Sequence, residues 1–369
     1  MLVSLRQSDY EGFYHLISFY LIWWFLSFMV KRPTLQDLAV AAGVSIATVD
    51  RVINRRLPVS NDTAQRVVKA AEDIGYHATS LLKRRIHEMP VRRFGFLLQK
   101  PDAFYKQLGH ELITASRSNR MVEGKPTVEY VEDVEPAIIA ERLLLMAKKS
   151  DALAVVAMEH PLVNEAVATI IAQGKPVFTL LSNINSDVCS GHFGADSRKC
   201  GRIAGWTISR LAKKPGKIGI LVGSHGYLNQ ELSEISFRTY MREHAPDFQL
   251  LEPIINLDDE GIAYEAVRDM VSETSDLVAI YVSGGGQEGL IRALREFCFP
   301  RQLVAVCNEL TPATRAALHD GVIDLTLGTP FASLARLLVE AMAKGTTGQD
   351  MPHLRPLNLP PDVFLPENV

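Results

Sequence analysis

The chain has 369 residues, which is too long for one compact module and fits two or three domains of roughly 100 to 200 residues each. Hydrophobic residues make up 47% of it and charged residues 22%, close to the globular average, which excludes a fibrous, disordered or multi-span membrane chain. The formal net charge of −3 conceals an asymmetry, because residues 31–93 carry a net +6 and residues 94–369 a net −8. A small basic module on a larger acidic body indicates an electrostatic footprint for a polyanion.

The first segment of the chain is strongly apolar. Residues 14–30, YHLISFYLIWWFLSFMV, carry no formal charge and as a helix would span about 25 Å, which is marginal for a bilayer. The segment has no small-residue cleavage site, so a secretory signal is disfavoured. We expect residues 1–30 to be an apolar leader outside the native protein, with translation starting at Met29. A membrane anchor, oriented by the basic pair at 31 and 32, and a partner-binding helix are the alternatives.

Residues 34–76 predict three short helices. Each has a start signal, a side chain that can accept a hydrogen bond from the first turn, and two are followed by a glycine that ends them. The start signals are Thr34 with Asp37, Ser45, and Ser60 or Asn61; the stop signals are Gly43 and Gly75.

The second of these helices has two distinct faces. Its apolar stripe consists of Val44, Thr48, Val49, Val52 and Ile53, which leaves Ile46, Ala47, Asp50 and Arg51 on the outer face. Two short helices joined at a glycine turn above a third form a helix-turn-helix, whose second helix enters a major groove about 12 Å wide. A plain three-helix bundle is the alternative, which the excess of basic residues disfavours.

The stretch TLQDLAVAAGVSIATVDRVINRRLPVSNDTAQRVVKAAEDIGY resembles, without a gap, the DNA-binding head of the lactose-repressor (LacI/GalR) family of bacterial transcription regulators. The resemblance implies a helix-turn-helix DNA-binding domain over residues 31–77 and a hinge over residues 78–93. It implies that Ile46, Ala47 and Arg51 read base edges, and that Thr34, Ser45, Thr48 and Asn54 lie near phosphates. An arginine at position 51 can donate hydrogen bonds to both O6 and N7 of guanine. Such a bidentate contact favours guanine over the other bases by about 1 to 3 kcal/mol.

Two features depart from the family pattern. Asp50 stands where many members carry serine, and a carboxylate beside phosphates is unfavourable unless it accepts from cytosine N4 or pairs with Arg51. In the hinge, Arg85 stands where relatives insert a leucine into the minor groove, so we expect Leu82 or Ile86 to be the wedge. The basic residues of this segment are expected to contact phosphate or enter a narrow groove: Lys83, Arg84 and Arg85.

After residue 93, short apolar runs alternate with amphipathic segments. The runs RFGFLLQ, ALAVVAME, KPVFTLLS, GKIGILVGS, DLVAIYVSGGG and QLVAVCNE read as buried parallel strands, each followed by a helical pattern. Repeated βαβ units over residues 94–369 predict two doubly wound α/β lobes, with a ligand between them at the carboxyl ends of the strands. This segment resembles the periplasmic-binding-protein-like sensor and dimerisation domain of the same family. The predicted fold is therefore an all-α head and a two-lobed α/β core.

The cleft residues are predicted from their positions after strand ends. We expect the chain to cross between lobes near residues 191–196, 320–323 and 352–356, and Thr329 to lie near the last strand of the first lobe. Each candidate could also serve only as a turn former or helix cap. The candidates for effector contact are Gln99, Lys100, Phe104, Tyr105, Asp196, His225, Asn229, Gly284, Gly285, Gly286, Gln287, Asn308, Glu309 and Thr329.

One loop carries a more specific pattern. SGGGQEGLIRAL, followed by NELTPATRAALHDGVIDL, is similar to a branch of the family with GGGN-x-GVIRAL and HELTP-x-TRALL. Its glycines would let backbone amides approach a ligand oxygen at a helix N-terminus. A phosphate-loop enzyme is disfavoured because G-x-x-x-x-G-K-[ST] does not occur. The resemblance favours a sugar as the effector. Ser233 weakens this expectation, because it stands where many relatives place an arginine that anchors the sugar.

No catalytic constellation is visible in the sequence. H-E-x-x-H, G-x-S-x-G and metal-type Cys/His clusters do not occur, so we expect neither an enzyme nor a cofactor or metal. Four dispersed cysteines, Cys189, Cys200, Cys298 and Cys307, fit core thiols in a reducing compartment. We expect a cytoplasmic homodimeric regulator, a repressor by resemblance, that binds a pseudo-palindromic operator in double-stranded DNA and responds to a small-molecule effector. A membrane-anchored or soluble small-molecule receptor without a DNA role is the alternative.

Overall fold

The computed structural model describes residues 32–54, 59–79, 82, 89–184, 189–297, 303–347 and 356–369. The chain divides into two compact units, Met1–Met89 and Pro90–Val369, which we name the head and the body. In these described ranges no helix is long and apolar enough to cross a membrane. The apolar segment at 14–30 lies outside them.

The head contains helices α1 (Leu35–Ala42), α2 (Ile46–Asn54) and α3 (Asn61–Asp73). The predicted start of α1 is confirmed as a reciprocal cap, because Asp37 N donates to Thr34 Oγ1 at 3.3 Å and Thr34 N donates to Asp37 Oδ2 at 2.8 Å. Ser45 Oγ accepts from Thr48 N at 3.1 Å, and Ser60 Oγ accepts from Thr63 N at 3.3 Å. The start signals in the sequence therefore fix where each helix begins.

Gly43 sets the angle between α1 and α2. Its φ of +64° lies in the left-handed region, and its amide donates to the carbonyls of Ala39 and Val40. The turn brings the apolar stripes of the helices into one core, in which Leu38, Val49 and Val67 are buried. Such a small core depends on every helix entering it at the correct angle.

The body contains two mainly parallel sheets. Their strands are β1 (Val91–Gln99), β2 (Glu123–Val131), β3 (Ala152–Val155), β4 (Val177–Leu180), β5 (Gly191–Ala195), β6 (Lys217–Val222), β7 (Gln249–Leu250), β8 (Ile254–Ile255), β9 (Leu277–Val282), β10 (Val304–Asn308), β11 (Leu325–Gly328), β12 (Leu357–Leu359) and β13 (Asp362–Phe364). The first sheet has the strand order β12-β5-β4-β3-β1-β2 and the second β13-β11-β10-β9-β6-β7, with β8 beside β6. The only antiparallel pair in the described sheets joins β11 and β13.

Helices cover both faces of each sheet, which gives two doubly wound lobes as the sequence predicted. The first sheet packs against α4 (Ala103–Arg117), α5 (Pro136–Ala147), α6 (Pro161–Ala172) and α12 (Phe331–Thr346). The second packs against α7 (Ser197–Leu211), α8 (Leu228–His244), α9 (Glu260–Glu273), α10 (Gln287–Phe297) and α11 (Pro312–His319). Burial on both faces explains why the central strands are continuous apolar runs.

The chain passes between the lobes at three places, and only the first was predicted correctly. It leaves β5 for α7 at Asp196, within the range expected. The second crossing is at residues 329–330, between β11 and α12, whereas residues 320–323 form a turn whose Ile323 is buried in the second lobe. The third joins β12 to β13 at residues 360–361 rather than at 352–356, of which 352–355 lie outside the described residues.

The misplaced crossings have one cause. An apolar run predicts a strand but does not reveal which sheet the strand joins. β11 pairs with β10 in the second sheet, so Thr329, just after it, follows a second-lobe strand and not a first-lobe strand. Strands with little apolar character were not predicted at all, such as the edge strand β2, which contains Pro126, and β5 with the sequence GHFGA.

Replacement of Gly43 should destabilise the head for a purely conformational reason. No atom lies within 4 Å of a β-carbon built there, so Gly43→Ala is expected to cost about 1 kcal/mol through its positive φ alone. Hydrogen exchange of α1 and α2 amides in the full chain measures this loss. Gly43→Asn is the control, because asparagine adopts this conformation more easily. Equal protection in wild type and Gly43→Ala would contradict the assignment.

Candidate nucleic-acid interface and ligand cavity

The outer face of α2 is the exposed surface of the head that the sequence singled out. Ile46 is 48% exposed, and Ala47 and Arg51 are exposed with it, while Val49 and Val52 on the opposite face are buried. Of the other predicted contacts, Thr34, Ser45 and Asn54 are exposed, and Thr48 and Asp50 are half-buried. Side chains of different size and chemistry are thus presented along one helix face.

Asp50 is held by a neighbour on its own helix. Asn54 Nδ2 donates to Asp50 Oδ1 at 2.6 Å, one helical turn away. The sequence left two possibilities for this carboxylate, cytosine or Arg51, and the structure shows a third. Among the described residues no ion pair involves Arg51, so its exposed guanidinium is available to a ligand.

The hinge prediction needs one correction. Leu82 is only 2% exposed and belongs to the apolar core of the head, so as placed it packs inside the head and is not a free wedge. Its amide donates to the carbonyl of Ala78. The other predicted hinge residues, Lys83, Arg84, Arg85 and Ile86, lie outside the described residues.

In the body, a cavity of about 430 Å³ lies between the lobes at the carboxyl ends of their strands. Most predicted effector residues line it: Gln99, Lys100, Phe104, Tyr105, Asn229, Ser233, Gly284, Gly285, Gly286, Gln287, Asn308, Glu309 and Thr329. Its volume is in the range of small-molecule sites. Within the described residues no group of His, Cys, Asp and Glu could hold a metal ion.

Two predicted cleft residues do not line the cavity. Asp196 caps α7 by accepting from Lys199 N at 3.2 Å. His225 Nε2 lies 2.9 Å from Glu234 Oε2 on α8. Both residues therefore stabilise the local structure of their loops. The sequence analysis had given this role as the alternative to effector contact for each candidate.

The glycine loop between β9 and α10 is filled by the protein itself. Gly285 N donates to Asp258 Oδ1 at 2.5 Å, and a β-carbon on Gly285 would lie 2.8 Å from the Asp258 β-carbon. Gly286 has a φ of +87°, and a β-carbon there would lie 2.4 Å from Asn256 Nδ2. The expectation that this loop offers its amides to a ligand oxygen is thus wrong for Gly285, because a carboxylate already occupies that position.

Gln287 and Asn308 hold the strand ends together. Gln287 Nε2 donates to the carbonyls of Gly284 at 3.0 Å and Asn308 at 2.8 Å, and Asn308 Nδ2 donates to the carbonyl of Ser283 at 2.9 Å. Both side chains are buried. They form part of the cavity wall and also satisfy backbone groups that leave the sheet there.

Glu309 brings a carboxylate to the cavity wall. Thr329 donates to it twice, from N at 3.0 Å and from Oγ1 at 2.7 Å. Burial disfavours the ionised form and raises the pKa of Glu309 to about 7, although the two Thr329 hydrogen bonds act in the opposite direction. Glu309 also has a φ of +68°, as Asp258 (+55°) and Leu181 (+65°) do, and all three line the cavity. Backbone strain of this kind concentrates at functional sites.

A hydrogen-bonded chain of three side chains joins the lobes across the cavity. Tyr105 Oη donates to Gln99 Oε1 at 3.0 Å, and Gln99 Nε2 donates to Tyr227 Oη at 2.5 Å. Gln99 and Tyr105 belong to the first lobe and Tyr227 to the second. The pKa of Tyr105 is raised well above its usual value, chiefly because the side chain is buried. Nearby groups that are negative when ionised add to this increase: Tyr227, Asp258, Asp102 and Glu309. Those carboxylates therefore surround one region of the cavity.

The sequence missed several residues that line the cavity, chiefly Ser182, Tyr227, Gln230 and Asp258. Asp258 follows β8, a strand of two residues that has no recognisable sequence pattern. Ser182 does follow a predicted strand, so the strand-end rule could have found it. Tyr227 and Gln230 were missed although they lie close in the chain to His225 and Asn229, which the sequence did predict.

Together the structure defines a two-lobed binding protein with an added helix-turn-helix head. Residues 34–79 match the family described as "Bacterial regulatory proteins, lacI family", and residues 141–350 match "Periplasmic binding protein domain". The chain belongs to the periplasmic binding protein domain family, whose model matches more than half of its length, and residues 34–79 of its head form a domain of the lacI family of bacterial regulatory proteins. The fold and family expected from the sequence are confirmed.

The relatives found agree with this assignment. The chain is 27% identical to the HTH-type transcriptional regulator MalR of Streptococcus pneumoniae serotype 4, over 46% of this chain and 56% of MalR. It is 26% identical to the HTH-type transcriptional repressor PurR of Haemophilus influenzae, over 56% of this chain and 57% of PurR. The chain thus spans little more than half the length of these relatives.

A solved structure shares the fold of the body. It is an ABC transporter solute binding protein from Agrobacterium vitis, bound with alpha-D-tagatopyranose, with a TM-score of 0.69 and 17% sequence identity. The match covers 75% of this chain and 95% of that protein. At this identity the likeness establishes the two-lobed fold.

The raised pKa of Glu309 predicts a pH-dependent stability. Because its pKa is about 7 in the folded protein and near 4.5 when unperturbed, the folded state retains a proton that the unfolded state releases between those values. The stabilisation is complete below pH about 4.5 and is lost as the pH rises through 7. At pH 8, Glu309→Gln should therefore be more stable than wild type by up to about 3 kcal/mol, with little gain at pH 5.

Urea unfolding of the full chain at pH 5 and pH 8 measures this difference. Glu340→Gln is the matched control, because Glu340 lies on the exposed face of α12, where its side chain is 41% exposed. A stability difference for Glu309→Gln that is the same at both pH values would show that Glu309 keeps an ordinary pKa.

Proposed function

We propose that this protein is a transcriptional regulator that binds operator DNA through its head and changes its DNA affinity when a small molecule occupies the cavity of its body. The observation that carries the proposal is the exposed outer face of α2 in a helix-turn-helix whose turn is formed by Gly43. On that face Arg51 forms no ion pair with any described residue. The regulators MalR and PurR, to which the chain is similar, support it.

Base recognition is assigned to α2. Ile46, Ala47 and Arg51 read base edges in the major groove, and Thr34, Ser45, Thr48 and Asn54 contact phosphates. Asp50 holds Asn54 through the 2.6 Å hydrogen bond, which fixes the direction of the Asn54 amide. The net charge of +6 over residues 31–93 provides the attraction to the duplex. Lys83, Arg84 and Arg85 add to that charge in the hinge.

The regulator acts in the cytoplasm as a homodimer on a pseudo-palindromic site, and it represses transcription when bound there. The effector binds between the lobes and changes their closure, which alters the placement of the two heads. The effector can shift DNA affinity only by as much as its own affinity differs between the two states of lobe closure. This coupling free energy is typically about 1 to 3 kcal/mol. We infer that the protein is not an enzyme, which its similarity to the regulators MalR and PurR supports. The sugar-bound fold relative supports a polar, hydroxylated effector.

Arg51→Ala should relax the base preference at one position of each half-site. Loss of a bidentate contact to guanine is expected to reduce affinity for the preferred base by about 1 to 3 kcal/mol and to leave affinity for other bases almost unchanged. Competition binding with an operator library at fixed salt measures this specificity. Arg66→Ala, which removes an equal charge from the exposed side of α3, is the control. Equal losses on every sequence would reassign Arg51 to a phosphate contact.

A further inference from the structure

The cavity between the lobes carries a large excess of negative charge. Among the described residues that line it, one basic side chain faces six carboxylates, and that side chain, Lys100, is exposed. The acidic residues are Asp102, Asp258, Asp259, Glu260, Glu288 and Glu309. No arginine lines the cavity within the described ranges.

None of these six carboxylates forms an ion pair with a described Lys, Arg or His. Asp102 and Asp259 are helix caps, which accept from the amides of Tyr105 at 2.8 Å and Ile262 at 2.9 Å. Asp258, Glu288 and Glu309 bond only to amide and hydroxyl groups, and no described Lys, Arg or His forms an ion pair with them. Asp258, Glu288 and Glu309 are half-buried, and a half-buried carboxylate is stabilised when a positive charge lies beside it.

The same wall is unsuited to an anion. In the glycine loop, the amide of Gly285 is already bonded to Asp258, so an incoming phosphate or carboxylate would meet a negative charge where it needs a donor. Ser233 cannot compensate, because its hydroxyl donates to the carbonyl of Ser197 at 3.0 Å. Electrostatics thus disfavour a phosphorylated effector beside Asp258.

Two further polar atoms of the cavity wall are unsatisfied. Ser182 is 1% exposed, and among the described residues neither its Oγ nor the buried Oδ1 of Asn229 has a hydrogen-bond partner. Buried polar atoms are normally paired, so these two indicate positions where a ligand group donates or accepts. The rings of Phe104, Tyr105 and Tyr227 line the same cavity, and aromatic faces beside carboxylates favour organic cations.

We propose that the effector of this protein is a hydroxylated organic amine, bound as a cation. Its ammonium group lies among Asp258, Glu288 and Glu309, and its hydroxyl groups bond to Ser182 and Asn229. This inference rests on the proposed function, in which the cavity is the effector site. It narrows the effector from any polar metabolite to those that carry a positive charge.

Matched ligand sets test the sign of the charge. Each set contains an amine, its uncharged parent, its N-acetyl derivative and a phosphorylated derivative. The first set consists of D-glucosamine, D-glucose, N-acetyl-D-glucosamine and D-glucose 6-phosphate. Corresponding sets are built on galactosamine and mannosamine. Thermal shift and calorimetry on the full chain at pH 7 should show binding of amines with a Kd at least about tenfold lower than that of their parents. A neutral or phosphorylated member that binds more tightly than its amine, or a panel in which no amine binds, overturns the proposal.

Charge-neutral variants then test the residues. Asp258→Asn keeps a side chain that tolerates the positive φ at that position, and Glu309→Gln keeps the acceptor for Thr329. Each should weaken binding of the best amine by about tenfold or more and leave binding of its uncharged parent within about twofold. Glu340→Gln, remote from the cavity, should change neither. Equal weakening of amine and parent by both cavity variants would mean that the carboxylates do not recognise the charge, which overturns the proposal.

Operator-binding measurements separate this proposal from the one on which it rests. If a neutral sugar binds more tightly than its amine and changes DNA affinity, the cation proposal fails and the regulator stands. If the full chain shows no preference for its own promoter over random duplex at cellular ionic strength, the proposed regulator fails, whatever the cavity binds. Binding of an amine together with a change in DNA affinity supports both.

Discussion

The arrangement of parallel strands is the constraint on which the ligand cavity depends. In both lobes the strands end at the edge that faces the other lobe, so residues far apart in the chain meet there. Gln99 comes from the end of β1, Asn308 from the end of β10 and Thr329 from beyond β11. A single antiparallel sheet would send alternate strand ends away from the cleft, and most of these side chains would not meet.

The cavity wall has an energetic cost that the rest of the body offsets. Three of its residues have positive φ without being glycine, and the Glu309 carboxyl, with a pKa of about 7, has lost favourable hydration. The apolar cores of both lobes supply the stability that allows these features to persist. A ligand that relieves the unfavourable charge would stabilise the lobes in the conformation it occupies, which is the property an effector site needs.

The head is organised by different means. It has few buried residues, so its stability depends on helix caps and on left-handed glycine turns such as the one at Gly43. The outer face of α2 remains exposed because the core needs only one side of that helix. Asp50 illustrates how local geometry changes chemistry. A carboxylate is unfavourable beside phosphates, but here it accepts a hydrogen bond from the Asn54 amide one turn away, and no described residue forms an ion pair with Arg51.

Local signals in the sequence determined the helices of the head, their caps, the central strands and the family, because capping residues, glycine turns and apolar periodicity act between neighbours in the chain. The strand-end rule also placed most residues of the cavity wall. Only the tertiary structure decided which sheet each strand joins, where the chain crosses between lobes, that Asp258 fills the glycine loop, and that Asp196 and His225 stay outside the cavity. These outcomes depend on contacts between residues distant in the chain, which no local pattern encodes.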